Sequence, residues 1–364
     1  MRAVAIDVTP LVGVRTGIGA SVAEMLGALE AHADSPAILP YVVGGPWHRS
    51  AVPAGARLIP LPARVALAAW SRADVPRADR WLRGADVVHA TNFVVPPSRL
   101  PTLVTVHDCS FALFPDTVAP HARAFGPGLR RAIRRGAHVH TTTDQVASEV
   151  EDLYSPGLRA QGRLHVVPFG VPALAATGGR SPIPAGSPYI LAVGRLEPRK
   201  NLPALIRALP AVPDVRLVIA GPDGAARPAV DATVAALPAA LRDRVLLVGP
   251  IGGRAKRAAL EGALALAYPS FYEGFGFPIL EAMAVGTPVL AADIGALREV
   301  AGGAALLVDP RDDDAVAAGL LRLASDEALR ADLVARGRQR VATMTWAATA
   351  AGLLRAYERA STSS

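Results

Sequence analysis

Short apolar runs alternate with longer stretches whose apolar residues recur at helical spacing. Residues 4–8, 87–90, 102–106, 139–142 and 164–167 read as strands, because each is a brief, almost wholly apolar run. Residues 17–30, 123–135 and 145–154 carry the periodicity of helices between them. Residues 169–188 break the alternation with Pro172, Pro182, Pro184, Pro188 and several glycines, the composition of a linker. The alternation then restarts, with strands expected at 189–193, 215–220, 245–248, 264–268, 289–291 and 305–308 and a last amphipathic helix at 346–359. Strands that are apolar throughout belong to parallel sheets with helices on both faces. The pattern therefore predicts an α/β chain of two similar domains joined near residue 175.

Composition narrows the function classes. The 364 residues are 51% hydrophobic and 19% charged, which provides a packed core and excludes a disordered or fibrous chain. The sequence has no unbroken apolar run of the ~18 residues that a membrane span needs. Its opening apolar run is cut short by Asp7 and reads as a first strand, not a signal peptide. A single cysteine, Cys109, excludes an intrachain disulfide and a cysteine-rich metal site, and makes the cytoplasm the expected compartment. The net charge is +7, yet only two of the 38 basic residues are lysine, Lys200 and Lys256. Solvated arginine faces explain much of that charge; an anionic partner is the other reading. Nucleic acid is not expected, since aromatics are 5% and no zinc-finger or RNA-binding signature occurs.

Ligands of parallel-sheet domains bind beyond the carboxyl ends of strands, so the segments that follow strands carry the chemistry. After 189–193 come Gly194, Arg195, Glu197, Pro198, Arg199, Lys200 and Asn201. Two cations at a strand end, beside a helix start, suit a phosphate or diphosphate; the alternative is a solvated turn with Asn201 as a helix N-cap. After 264–268 comes Glu273-Gly274-Phe275-Gly276-Phe277-Pro278, and Glu281 follows eight positions after Glu273. Pro278 fits a first helical turn, with Gly286 and Pro288 ending that helix. Backbone N–H groups of this loop suit phosphate oxygens, and carboxylates accept from paired sugar hydroxyls. Alternatively, Glu281 is an acid placed in a first helical turn and Glu273 a turn acid. His107, next to Asp108 at the end of 102–106, either orients substrate or is structural. Residues 11–19, with Gly13, Arg15, Gly17 and Gly19, do not have G-x-G-x-x-G spacing and read as a loop against a ligand. Asp312, Asp313 and Asp314 precede a helix and read as its cap rather than as metal ligands. His138 and His140 share one strand face without visible partner ligands.

The stretch from Glu273 to Glu281 resembles the E-x7-E motif of the retaining glycosyltransferases of family 4, and Gly194 to Asn201 resembles their diphosphate-binding segment. His107-Asp108 with Phe111 and Pro115, and Thr16-Gly17-Ile18-Gly19, resemble their N-terminal motifs. The resemblance implies a GT-B fold, two facing Rossmann-like domains with a cleft between them. It implies an acceptor domain over 1–172, a linker over 173–188 and a sugar-nucleotide domain over 189–345. Residues 346–364 would be a helix crossing back to the first domain. Carried over, Arg195 and Lys200 hold the donor diphosphate and Glu281 the ribose hydroxyls. Glu273 holds the donor sugar, aided by the backbone of Gly274, Phe275 and Gly276, with Gly194 in the same segment. His107 lies near the reacting sugar, and Gly17 and Ile18 approach the diphosphate from the other domain.

The implied activity is retaining hexosyl transfer, best matched by mannose from GDP-mannose, with other GDP- or UDP-hexoses as alternatives. The acceptor is a glycan, a lipid-linked molecule or a small molecule, and no metal or cofactor is required. A non-hydrolysing sugar-nucleotide epimerase and a non-catalytic sugar-nucleotide-binding protein are the rival readings. Two basic segments, Arg64, Arg72, Arg77, Arg80 and Arg83 with Trp70 and Trp81, then Arg123, Arg130, Arg131, Arg134 and Arg135, suggest peripheral contact with the inner face of the cell membrane.

Overall fold

In the computed structural model, the apolar runs become the strands of two parallel sheets. All residues are described except 14–16, 46–51, 117, 119, 179–180, 182, 185, 187 and 363–364. Pro182, Arg15 and Thr16 thus lie outside the described residues. The chain divides into Met1–Gly170 with Thr345–Ser364, and Val171–Met344.

The first unit holds β1 (Ala3–Asp7), β2 (Ala37–Val43), β3 (Arg57–Ile59), β4 (Val87–Ala90), β5 (Thr102–Val106), β6 (His138–Thr141) and β7 (Leu164–Val166). Their order across the sheet is β3-β2-β1-β4-β5-β6-β7. β2 and β3 were not expected from the sequence. Pro40 interrupts the apolar run of β2, and β3 is only three residues long. Side chains of Val4, Ile6, Val87 and Leu103 pack against Val22, Met25 and Leu29 of the helix Gly17–Ala31. Leu353 and Tyr357 of the C-terminal helix Trp346–Thr362 complete that cluster. Phe111, Leu129, Ile133 and Val146 fill a separate cluster with Val104, Val106 and Val139.

The second unit holds β8 (Tyr189–Val193), β9 (Arg216–Ala220), β10 (Val245–Gly249), β11 (Ala265–Tyr268), β12 (Val289–Ala292) and β13 (Leu306–Val308), in the order β10-β9-β8-β11-β12-β13. Leu205, Ile206, Leu217, Ile219, Val316 and Leu320 are almost fully buried at its core. Each burial of this kind stabilises by about 1.5–3 kcal/mol relative to exposure.

Strand order reverses between β1 and β4 in the first sheet and between β8 and β11 in the second. At such a reversal the connections leave toward opposite sides and open a crevice beyond the strand ends. The two glutamate and cation segments follow β8 and β11, which pair directly through Ala265↔Ile190 and Leu266↔Leu191. Sheet topology alone therefore brings together segments more than seventy residues apart.

Candidate functional site

The turn after β8 is built to present Lys200. Pro198 opens the single 3-10 turn Pro198–Lys200, and Asn201 then adopts a left-handed conformation, φ 52°. Asn201 is not the side-chain cap that its position suggests: it is buried, and its Nδ2 donates to Pro310 O at 2.7 Å. That bond anchors the turn to the loop after β13. The neighbouring segment is tied on by Phe271 N donating to Arg199 O at 2.7 Å.

Lys200 Nζ donates to Glu273 Oε1 at 2.5 Å and to the Tyr268 hydroxyl at 2.6 Å. Arg199 Nη1 donates to the other carboxylate oxygen, Oε2, at 2.7 Å, and its Nε to Glu197 Oε2 at 2.8 Å. Glu273 is 7% exposed. Burial alone raises its pKa, but Lys200 and Arg199 outweigh that and hold the carboxyl at about 2. The acid is thus permanently ionised and fixed by two cations. Arg199 was not among the residues expected here; its signal was its position immediately before Lys200.

Gly276 lets this loop turn into the helix Phe277–Val285. Its φ is 101°, and a Cβ there would lie 2.7 Å from Leu297 Cδ2. A second close approach occurs at Gly221 after β9, where a Cβ would lie 1.8 Å from Gly194 O. Pro278 takes its place in the first turn. Glu281 lies one residue past that turn, so the reading of it as a helix-terminal acid does not hold. Instead Lys256 Nζ, on the helix Gly253–Glu261, donates to Glu281 Oε1 at 2.5 Å. Both lysines of the chain therefore meet the two glutamates of the 273/281 pair. The sequence reading marked Lys256 as rare but gave it no partner.

The remaining expected residues are placed as follows. Gly194 and Lys200 are in contact range, a Cβ on Gly194 falling 3.5 Å from Lys200 Cε. Gly274 and Phe275 follow Glu273 directly and are buried. Arg195 turns away from Lys200's ion pair: its Nη1 donates to Asp223 O at 2.9 Å. Asp223, Arg227, Leu196, Gly221 and Gly249 border a cavity of about 520 Å³ at the ends of β8, β9 and β10.

In the first unit, three strand ends are laced together. His107 Nε2 donates to Thr91 O at 2.8 Å, and Thr91 Oγ1 donates to Asp7 O at 2.7 Å. A carbonyl only accepts, so the proton of His107 sits on Nε2 and its Nδ1 is an acceptor. Burial lowers the pKa of this ring despite the nearby Asp108. Asp108 does not orient it, because its carboxylate accepts from Ser110 N at 2.9 Å and Ser110 Oγ at 2.6 Å. Gly17 opens the first helix, and Ile18 O accepts from Ser21 Oγ at 2.8 Å.

Of the two histidines noticed on β6, His140 belongs to a buried relay. His140 Nε2 donates to Val167 O at 2.9 Å, so its Nδ1 accepts from Thr105 Oγ1, also 2.9 Å away. Thr105 in turn accepts from His89 Nε2 at 2.8 Å, and His89 Nδ1 accepts from the Tyr357 hydroxyl at 2.7 Å. Every proton direction follows from the terminal carbonyl. His138 Nδ1 and His165 Nε2 share a hydrogen bond of 2.9 Å, the two rings lying nearly coplanar with centroids 5.2 Å apart.

Of the acid run, Asp312 caps the helix Asp313–Ser325, its Oδ1 accepting from Ala315 N at 3.0 Å, while Asp313 and Asp314 lie in the first turn and Asp313 pairs with Arg207 at 2.6 Å. Among the described residues, no three His, Cys, Asp or Glu side chains gather as a metal site, and no helix is long and apolar enough to cross a membrane. Several arginines of the basic segments are engaged by protein groups. Arg131 and Arg135 pair with Asp74 at 2.8 and 2.6 Å, Arg130 donates to Leu153 O, and Arg80 stacks on Trp81.

Residues 179–340 match the family model "Glycosyl transferases group 1", and residues 16–170 match "Glycosyl transferase 4-like domain". The chain is 42% identical over 96 residues to the O-antigen chain mannosyltransferase B of Escherichia coli, covering 26% of this chain and 25% of that protein. It is 32% identical over 299 residues to the D-inositol 3-phosphate glycosyltransferase of Mycolicibacterium gilvum, covering 78% of this chain and 62% of that one. The aligned parts thus span less than two thirds of these relatives' lengths. Sucrose-phosphate synthase from Thermosynechococcus elongatus shares the fold, with a TM-score of 0.75 and 22% identity over 100% of both chains. The two parallel-sheet α/β domains are those of GT-B structures.

Proposed function

The chain belongs to the glycosyltransferases that join a 4-like domain to a group 1 domain, and we propose that it transfers a hexosyl unit from a nucleotide sugar with retention of anomeric configuration. The observation that carries this reading is the pairing of Glu273 with Lys200 and of Glu281 with Lys256 on segments that follow or pack beside β8 and β11. It supplies fixed cations for a diphosphate and carboxyl acceptors for sugar hydroxyls, beside a loop whose backbone N–H groups lead into a helix.

In the proposed mechanism, Lys200 and Arg195 stabilise charge that develops on the leaving diphosphate. For Arg195 this requires a swing away from Asp223 O. Glu281 binds the ribose hydroxyls. Glu273 binds hydroxyls of the donor sugar with the backbone of Gly274, Phe275 and Gly276. The glutamates are not an acid and nucleophile pair of the glycosidase kind, since Glu273 is clamped by two cations. The acceptor hydroxyl attacks on the face the diphosphate leaves, and the diphosphate takes its proton as the sugar passes through an oxocarbenium-like state. His107, held by Thr91 O, lines the reacting sugar, and Gly17 and Ile18 meet the diphosphate.

The division into 1–172, 173–188, 189–345 and a returning helix at 346–364 is part of the same proposal. The preferred donor is GDP-mannose, supported by the mannosyl activity in the name of one relative and by the Glu197–Asn201 segment. The acceptor is a glycan, a lipid-linked molecule or a small molecule. Peripheral contact with the inner face of the cell membrane would rest on exposed Arg64, Arg83 and Arg134 rather than on Arg131 and Arg135. The test is a screen of GDP- and UDP-hexoses against lipid and soluble acceptors, with the product's anomeric configuration read by NMR. Donor conversion without any acceptor, or an inverted product, refutes the reading.

A further inference from the structure

Arg199 is bonded to three consecutive residues of the loop that carries Glu273. Its carbonyl accepts from Phe271 N at 2.7 Å, and its Nη1 donates to Tyr272 O at 3.2 Å and to Glu273 Oε2 at 2.7 Å. From the other side Glu197 Oε2 accepts from its Nε at 2.8 Å, so the guanidinium is fixed at two of its nitrogens. Lys200 meets Glu273 through a single bond to Oε1, and its other bond goes to the Tyr268 hydroxyl. The two cations are therefore not equivalent. An ammonium has three protons and two are engaged here, so Lys200 keeps one for a phosphate oxygen. A phosphate that draws Lys200 toward it loosens the hold on Oε1, whereas Arg199 holds Oε2 and the loop backbone independently. Beyond Glu273 the loop runs through Gly274 and Gly276, which have little backbone restraint of their own, so restraint there comes from contacts.

We propose that Arg199 is the positioning residue of the donor-sugar subsite: it splints residues 271–273 and keeps the Glu273 carboxylate in place while Lys200 engages the diphosphate. This rests on the reading of Glu273 as the residue that binds the donor sugar. A lysine at 199 keeps the charge but replaces a rigid planar fork, whose Nε and Nη1 serve separate partners, by one point donor on a flexible stem. Methionine there removes the charge as well.

The experiment measures calorimetric affinities, without acceptor, for GDP, GDP-mannose, UDP and UDP-glucose in wild type, Glu273→Gln, Arg199→Lys and Arg199→Met. The quantity read is the ratio of nucleotide-sugar affinity to bare-diphosphate affinity, for each pair the wild type binds. Glu273→Gln should lower that ratio by about tenfold, the scale of one hydrogen bond to a charged group. Both Arg199 variants should lower it by at least about fivefold while the bare diphosphate stays within about twofold of wild type. A general disturbance of the loop would weaken both ligands, because Lys200 is bonded to the same carboxylate. Arg199→Lys covers the case in which Arg199→Met does not fold, and it separates a splint from an ion pair alone. If wild type binds none of the four ligands, or Glu273→Gln leaves the ratio unchanged, the donor-sugar reading of Glu273 is itself wrong. If Glu273→Gln lowers the ratio while Arg199→Lys keeps it, or if the Arg199 variants weaken the diphosphate as much as the nucleotide sugar, that reading stands and the role of Arg199 is overturned.

Discussion

Lowering the pH from 7 to 5 should destabilise the unit formed by Met1–Gly170 with Thr345–Ser364. His140 is wholly buried, and that burial holds its pKa at about 4. The unfolded chain, with histidines near 6.5, then binds more protons than the folded one across this interval, so stability falls as pH falls. For His140 the loss between pH 7 and pH 5 is about 2 kcal/mol. The relay explains why: a proton added to His140 or His89 introduces a donor where every acceptor is already taken. The hydrogen-bonded His138 and His165, each also near 4, act in the same direction as one coupled pair. Asp7 opposes them. Burial raises its carboxyl to about 6, so the folded state takes up its proton first and regains about 1 kcal/mol. The net loss should be about 2 kcal/mol or more, which at an m-value of ~2–3 kcal/mol per molar moves a urea midpoint by just under ~1 M. Tryptophan fluorescence isolates the transition, because Trp47, Trp70, Trp81 and Trp346 all fall within this unit's sequence. A His140→Gln variant should be weaker at pH 7 by about 1–3 kcal/mol, through stranded Thr105 and Val167 groups, yet show a smaller shift on acidification. A wild-type midpoint that stays level from pH 7 to 5, or a variant that shifts as far as wild type, refutes the reasoning.

Lys200→Met and Arg195→Ala should each lower turnover by at least about a hundredfold without loss of fold, measured as nucleoside diphosphate release; near-wild-type rates in both overturn the diphosphate assignment. Activity should survive EDTA, and a loss on chelation that Mn²⁺ or Mg²⁺ restores contradicts this. Gly276→Ala should cost the second unit about 1–3 kcal/mol, because its φ of 101° and the nearby Leu297 both oppose a side chain; an unchanged circular-dichroism melt shows that the loop relaxes. Co-sedimentation should show modest, salt-sensitive binding to anionic vesicles over neutral ones, and equal binding to both argues for an acceptor met away from lipid.

Much of the fold was legible because parallel strands buried on both faces leave uninterrupted apolar runs. β8 begins and ends where its run does, and so do β4 and β5. β2 hid behind Pro40, and β3 was too short to signal itself. The segments carrying Lys200 and Glu273 could be picked out by type and position, since each follows a strand. Their partners could not. Lys256 and Glu281 are 25 residues apart on two helices, and only packing makes them neighbours. Arg199 joined the pair because the turn after β8 aims it inward while Arg195 faces Asp223. Likewise His138 and His140 were visible as an alternation, but the bond from His140 through Thr105 to His89 depends on the order β4-β5-β6.

With only two lysines, both held by the 273/281 glutamates, the chain offers amine chemistry very few targets. Beyond the terminal amine, any acylating reagent must compete with a carboxylate for Lys200 or Lys256, whose side chains are 11% and 23% exposed. Coupling the protein to a surface or a dye through its amines will therefore either mark the N-terminus alone or break one of these two ion pairs. Mass spectrometry of the labelled peptides, with and without a nucleotide, becomes a two-point footprint of the site.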